Sequence, residues 1–291
     1  MHANRKRFKL NIMRLRLLAP LCALLLFPAA SRAQQAAAPS TPQASASPSS
    51  SPWLKRVLPD AQGKLPGGLP YRLFVPKNYE ASRRYPMIVF LHGSGERGTD
   101  NQAQINANGP PRMASDEVQA EQPCFVLAPQ CPPENRWQSW DQKSPRGVMV
   151  RMAAQPSDPM RLLMQLLDEL PHQFSLDTRR IYLTGLSLGG FGTWELLARR
   201  PQMFAAAVPI CGRADLTTAP ILKSIPIWAF HGDADQSVSV EHTRAMVGAL
   251  TVFGAPVRYT EYPGVGHNSW DRAYAEPELF PWLFAQHKPQ G

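Results

Sequence analysis

Seven short apolar runs recur along the chain, at 71–75, 87–91, 125–128, 181–184, 206–210, 227–230 and 257–262, and most are apolar on both faces that a strand presents. A strand nonpolar on both faces must be covered from both sides. That is the situation of a central strand in a mostly parallel sheet, not of a half-solvated hairpin. Stretches of helical character fall between the runs, at 160–170, 190–199, 239–252 and 277–287. The third of these has Ser239 as its expected N-cap, Glu241 in its first turn, and apolar Met246, Leu250 and Phe253. Alternation of strand and helix implies an α/β layer fold joined by right-handed crossovers. Residues 53–75, with Gly63-Lys64-Leu65-Pro66-Gly67-Gly68 between their halves, read instead as an antiparallel hairpin at one sheet edge.

The chain carries a formal charge of +9 over 291 residues, which taken whole suggests an anionic partner. The charge is not spread evenly. Residues 1–33 hold seven basic residues and no acidic one, which leaves 24 basic against 22 acidic in the remainder. A near-neutral domain gives no electrostatic case for nucleic-acid binding. The first 33 residues read as a secretory signal peptide: basic Arg5–Arg16, an apolar run from Leu17 to Ala30, then Ser31-Arg32-Ala33 at the cleavage spacing. The run is shorter than the roughly 20 residues of a membrane span, so no stable membrane insertion is expected after cleavage. The expected location is outside the cytoplasm, periplasmic or secreted, by a Sec or a twin-arginine route. Residues 34–52 carry six Ser, five Ala, four Pro and no charge. They cannot bury enough apolar surface to offset ordering and are expected to be a disordered linker. One domain, 53–291, follows, and its three cysteines, Cys124, Cys131 and Cys211, argue against a pure disulfide framework. An extended strand between Cys124 and Cys131 would hold them too far apart to bridge. No spacing suggests a metal, and no cofactor is expected.

In such sheets chemistry collects beyond the carboxyl ends of the strands. Four strands here end in glycine-rich or polar segments: Leu91-His92-Gly93-Ser94-Gly95, Gly185-Leu186-Ser187-Leu188-Gly189, His231-Gly232-Asp233-Ala234-Asp235 and Gly264-Val265-Gly266-His267. The second is a G-x-S-x-G pattern between a strand and a helix, which sets Ser187 on a tight turn with its hydroxyl above the sheet. A serine hydroxyl needs a base, and the base needs an acid to hold its tautomer. His267 is the expected base. His92 and His231 are rivals, although each lies in a strand–His-Gly turn where a histidine more often braces the loop. Asp233 and Asp235 both lie in the loop expected to supply the acid. An oxyanion would be met by the backbone N–H of Leu188 and by that of Ser94 or, second, Gly95.

These segments, with Glu96-Arg97-Gly98-Thr99-Asp100-Asn101, Ala128-Pro129-Gln130-Cys131 and Gly266-His267-Asn268-Ser269-Trp270, resemble the α/β-hydrolase superfamily over about residues 65–287. Within it the chain is similar to small phospholipase/carboxylesterase-like and prolyl-oligopeptidase-like esterases. The resemblance implies a mostly parallel central sheet flanked by helices and hydrolysis of a small-molecule carboxylic ester through an acyl-enzyme. The family's His-Gly-x-x-Asp-x-x-Val pattern aligns Asp235 as the acid. Lipases of this fold usually insert a large lid after the strand ending at Ile210. Only Gly212–Ser224 stand there, so short-chain acyl, feruloyl or acetyl esters are expected rather than emulsified lipid. Trp137, Trp140 and Trp270 are candidates to line the mouth, with a packing role as the alternative. A serine peptidase and a non-catalytic binding module on the same fold are the other two readings, and the oligomeric state is not legible.

Overall fold

The computed structural model describes residues 52–106, 108–141 and 150–289. The expected signal segment 1–33, and the expected linker apart from Pro52, lie outside the described residues. Among the described residues no helix is long and apolar enough to cross a membrane.

Eight strands form one sheet: β1 (Trp53–Leu58), β2 (Leu69–Phe74), β3 (Tyr85–Leu91), β4 (Phe125–Pro129), β5 (Leu176–Leu186), β6 (Ala206–Ile210), β7 (Ile227–Gly232) and β8 (Val257–Tyr262). Their order is β1-β2-β4-β3-β5-β6-β7-β8. The strands from β4 through β8 are mutually parallel. The expected edge hairpin is present: β1 pairs antiparallel with β2 from Trp53 opposite Phe74 to Leu58 opposite Leu69. β2 in turn joins β4 antiparallel. This is the α/β-hydrolase fold.

The two-sided apolar strands do what their pattern requires. On β3, Met87, Val89 and Leu91 enter one core layer, while Ile88 and Phe90 enter the other. The first layer is closed by α4 (Asp158–Gln173), α5 (Leu188–Arg199) and α7 (Glu241–Val252), through Leu163, Leu166, Leu196, Met246 and Leu250. The second is closed by α2 (Gly109–Met113), α3 (Asp116–Glu121), α8 (Trp270–Ala275) and α9 (Leu279–Phe284), through Met113, Val118, Tyr274 and Leu283. Complete burial of a Leu, Met or Phe side chain stabilises by roughly 1.5–3 kcal/mol, so the covering helices are held by packing rather than by intrinsic helix propensity.

Five short helices were not foreseen: α1 (Ala103–Asn106), α2, α3, α6 (Ala219–Leu222) and α8. Each is at most two turns, too short for a 3.6-residue period to register. α7 starts at Glu241, and the Ser239 hydroxyl accepts the Glu241 N–H at 3.4 Å while its carbonyl accepts the His242 N–H at 3.1 Å, because Val240 already has helical dihedrals. β5 begins at Leu176, earlier than its apolar run, and pairs with Tyr85 across a register shift. The connection from β6 to β7 holds only a 3-10 turn (Leu216–Thr218) and the single-turn α6 (Ala219–Leu222), so no lid stands there. Cys124, Cys131 and Cys211 are buried and free.

Candidate active site

β5 passes into α5 with one residue between them, and that residue is Ser187. Its backbone sits at φ 53°, ψ −118°, a sparsely populated conformation that costs about 1–3 kcal/mol and persists only where the surroundings enforce it. The enforcement is visible in the flanking glycines. A Cβ on Gly189 would lie 1.8 Å from the Leu91 carbonyl oxygen, and one on Gly185 would lie 2.5 Å from the Gly189 oxygen. The Ser187 N–H also donates to Ile210 O at 3.0 Å, tying the turn to the end of β6.

His267 and Asp235 meet this serine from the ends of β8 and β7. His267 Nε2 lies 2.9 Å from Ser187 Oγ, and His267 Nδ1 lies 2.7 Å from Asp235 Oδ2. A carboxylate only accepts, so Nδ1 carries the proton and Nε2 is left to accept from the serine hydroxyl. Asp235 Oδ1 accepts from the N–H groups of Ser237 (2.8 Å) and Val238 (2.9 Å). Burial alone would raise the Asp235 pKa, but the bonds from His267, Val238 and Ser237 together outweigh it and hold the carboxyl below its ordinary value. The acid is thus kept ionised beside the imidazole.

The rival residues are occupied elsewhere. Asp233 accepts the Gly264 N–H at 2.6 Å, pinning the loop that carries His267. His231 is wholly buried, with Nδ1 against Thr243 Oγ1 at 2.7 Å and Nε2 against Val238 O (2.9 Å) and Asp235 Oδ2 (3.2 Å). Burial lowers its pKa, so a neutral His231 donates through Nε2 and braces the acid loop. His92 donates from Nδ1 to Gly93 O at 2.6 Å and accepts the Cys131 N–H on Nε2 at 2.9 Å. Burial pushes its pKa down to about 4.

The segment carrying Ser94 and Gly95 is a 3-10 turn, Ser94–Glu96, pressed against the serine elbow: a Cβ on Gly93 would meet Leu186 Cδ1 at 2.9 Å. Leu188 is the first residue of α5, so its N–H has no acceptor within the helix. Ser94 likewise opens its turn, and Ser94 and Gly95 are exposed. Sequence reasoning assigned no role to what fixes this loop. Gln130 donates to Glu96 O (3.1 Å) and Asp100 Oδ1 (2.8 Å) and accepts the Asn101 N–H (2.6 Å). Asn101 in turn reaches Arg56 O and Tyr71 O at 2.8 and 3.1 Å. A Gln directly after an apolar strand was the available signal.

Trp137 does not line a mouth. It is 0% exposed, donates from Nε1 to His92 O at 3.1 Å, and packs edge-on to the His92 ring. Its indole fills the space behind the 92–95 loop. Trp140 is half-buried and inclined to Phe191, one turn into α5, with the Arg213 guanidinium 5.8 Å from its ring centroid. Trp270, also half-buried, stands edge-on to His267 at 5.2 Å. Glu195, unnoticed in the sequence, is buried in α5 and accepts the Ser139 N–H and Arg199 Nε, each at 2.8 Å. Burial raises its pKa against the pull of those partners.

The one candidate metal cluster among the described residues joins Cys211, Asp235 and His267, whose donor atoms lie within 4.8 Å of one another. Burial pushes the Cys211 thiol up to about 12, and the other two donors already share a proton, so this donor set suits proton transfer rather than a cation. A groove of about 690 Å³ lined by Leu167, Ile181, Arg200 and Lys288 lies at the opposite strand ends, away from Ser187.

The model of the phospholipase/carboxylesterase family matches residues 78–276. A bifunctional acetylxylan esterase/xylanase of Neocallimastix patriciarum is 25% identical over 194 residues, which is 66% of this chain and 25% of that protein. A probable carboxylesterase of Oryza sativa subsp. japonica is 25% identical over 205 residues, 66% of this chain and 85% of that protein. The solved structure of a thermostable esterase superposes with a TM-score of 0.74 at 40% identity, covering 81% of this chain and 64% of the other. The chain thus spans about a quarter of the length of the first of these relatives.

Proposed function

Because the chain belongs to the phospholipase/carboxylesterase family, we propose that it is an exported serine carboxylesterase acting through an acyl-enzyme, with Ser187 as nucleophile, His267 as base and Asp235 as the orienting acid. One observation carries the proposal: the unbroken chain of hydrogen bonds from Ser187 Oγ through His267 to the ionised Asp235, at 2.9 and 2.7 Å. In the first half-reaction Ser187 Oγ attacks the ester carbonyl carbon while its proton passes to His267 Nε2. The negative charge that develops on the carbonyl oxygen is met by the N–H groups of Leu188 and Ser94, with Gly95 as the second choice in the loop. Collapse of the tetrahedral species breaks the bond to the alcohol oxygen, which takes the proton from His267. Water then repeats the sequence on the acyl-enzyme and releases the carboxylic acid. Asp235 stays ionised throughout and stabilises the imidazolium.

The substrate proposed is a short-chain acyl ester or one of feruloyl or acetyl type. The short connection after β6 supports this, since it leaves no apolar lid there for a lipid interface. Residues 1–33 are proposed to be removed on export, with 34–52 as a linker and 53–291 as the catalytic domain. The deciding experiment combines a fluorophosphonate probe with p-nitrophenyl acetate turnover. Labelling at Ser187 with ester hydrolysis is expected, and both should be lost in Ser187→Ala. Labelling with cleavage of peptide p-nitroanilides alone would replace the esterase by a peptidase, and absence of labelling would leave a binding module.

A further inference from the structure

Between α2 and α8 runs an open groove of about 320 Å³, lined by Asn108, Arg112, Trp270, Asp271, Tyr274 and Ala275. It begins one side chain away from the site just described. Trp270 meets His267 edge-on, with ring centroids 5.2 Å apart and planes at 86°. Tyr274 is buried with its hydroxyl 3.0 Å from that of Thr184, three residues before Ser187. On the other side, Asn108 Nδ2 donates to Glu96 Oε1 at 3.3 Å, linking the groove to the turn that holds Ser94. Asn108 also has a backbone at φ 61°, ψ −130°, close to that of Ser187 and one of five positive-φ non-glycine positions among the described residues. Strain of this kind gathers at functional sites.

The lining is half aromatic or small and half polar. Asp271 accepts from Asn268 Nδ2 at 3.1 Å and Arg112 pairs with Glu117, so both are held in place. A carboxylate has about four acceptor sites and an amide side chain has both donors and an acceptor, so each keeps capacity beyond its one bond here. An alkyl chain in this groove would strip water from Asn108, Arg112 and Asp271 without replacing their hydrogen bonds. A phenolic ring would stack on Trp270 and leave the same three groups short. A pyranose ring supplies both parts: an apolar C–H face for the indole and a rim of hydroxyls that donate and accept. The volume is at the lower end of the roughly 300–1,000 Å³ typical of small-molecule sites, which suits a single sugar ring.

Resting on the esterase reading, we infer that this groove is a subsite for the sugar ring of the ester's alcohol moiety, with Trp270 as the stacking platform and Asn108, Arg112 and Asp271 as hydrogen-bonding groups. The alcohol oxygen takes its proton from His267, so the alcohol leaves on the side where Trp270 stands. The carbohydrate is a pyranoside carrying the acyl group, and the groove holds it while Ser187 takes the acyl part.

Calorimetric titration of the full chain with xylobiose and with cellobiose tests the subsite without using ester turnover. Saturable binding of at least one sugar is expected, weakened about tenfold or more, equivalent to 1.4 kcal/mol, in Trp270→Ala and in Asp271→Ala. Asp271 is exposed, so its variant folds even where Trp270→Ala does not, and circular dichroism melts establish which proteins are compared. Absence of saturable binding for both sugars, or equal binding by wild type and Asp271→Ala, overturns the inference. Hydrolysis of p-nitrophenyl acetate, measured beside the titration, separates the two readings. Turnover without sugar binding removes the subsite and leaves the esterase, whereas sugar binding lost in the variants, without turnover, keeps the subsite and removes the esterase.

Discussion

Acidification should destabilise the protein through His92, by about 3 kcal/mol between neutral pH and pH 4. The imidazole is 0% exposed, and its Nε2 lone pair is taken by the Cys131 N–H at 2.9 Å. A second proton would set two donors against each other in a site closed to bulk solvent. Burial, aided by the positive charge of Arg97, holds the folded pKa at about 4 against an ordinary 6.5. Between those values the unfolded chain binds a proton that the folded chain refuses, so stability rises with pH. The His92 contribution is therefore whole above about pH 6.5 and is lost progressively as pH falls to about 4. A gap of about two and a half pH units at 1.36 kcal/mol per unit gives about 3 kcal/mol, a large part of the 5–15 kcal/mol of a typical domain. The assay is urea unfolding of wild type and His92→Gln at intervals from about pH 7.5 to 4. Gln does not titrate and can still accept from Cys131, so the variant should lose about 3 kcal/mol less than wild type across the window. His231 also has a lowered pKa, but it is common to both proteins and cancels in the difference. Equal losses in the two proteins would refute the reasoning.

Removal of Ser187 or His267 as Ala should each lower kcat on p-nitrophenyl acetate by about 10⁶, with the double variant no worse, while Asp235→Asn should cost about 10⁴; a loss of 10⁴ in Asp233→Asn instead would name the wrong acid. Ser94→Ala should keep most activity and Ser94→Pro should lose about 10²–10³ in kcat, because the group proposed to act is the backbone N–H; steady-state kinetics on folded variants decides. Trp137→Ala should cost about 3–5 kcal/mol in urea unfolding, the scale for emptying a buried aromatic site, and an unchanged midpoint would return Trp137 to the surface. Mass spectrometry of the exported protein should find an N-terminus at Gln34, and retention of Arg5–Arg16 would end the signal-peptide proposal.

The parallel sheet was legible because burial on both faces leaves a mark that no local signal can hide: Met87–Leu91 and Ile227–Phe230 have no polar residue to interrupt them. The edge hairpin was legible from its glycine-rich turn. What escaped was short or polar. α1, α2, α3, α6 and α8 are too brief for periodicity, and the start of β5 at Leu176 runs through Asp177, Thr178, Arg179 and Arg180, which read as loop. The Trp137 error has a different origin. An indole suits a substrate surface and a core equally well, and only the position of His92 decides. Its Nε1 found an acceptor in His92 O, and that bond let a polar-tipped residue go fully inside. Gln130 and Asn101 escaped for a related reason: their partners lie 29 to 45 residues away, and no local pattern encodes such bonds.

Three histidines sit at the carboxyl ends of β3, β7 and β8, and their surroundings divide the work among them. His92 and His231 each spend both ring nitrogens on the protein and have no exposed surface. A ring so placed can fix a loop, but it cannot hand a proton to anything that arrives from solvent. His267 spends one nitrogen on Asp235, turns the other to Ser187, and keeps 26% of its side chain exposed. A general base has to accept a proton and give it to a leaving group within one cycle, so one nitrogen must remain open on the substrate side. Asp235 Oδ2 receives both His267 and His231, so the buried histidine contributes to the exposed one by fixing the carboxylate they share. The site therefore rests on two braced loops, one held by His92 through Cys131 and one by His231 through Val238, and of these three histidines only His267 keeps the open nitrogen that the proposed base requires.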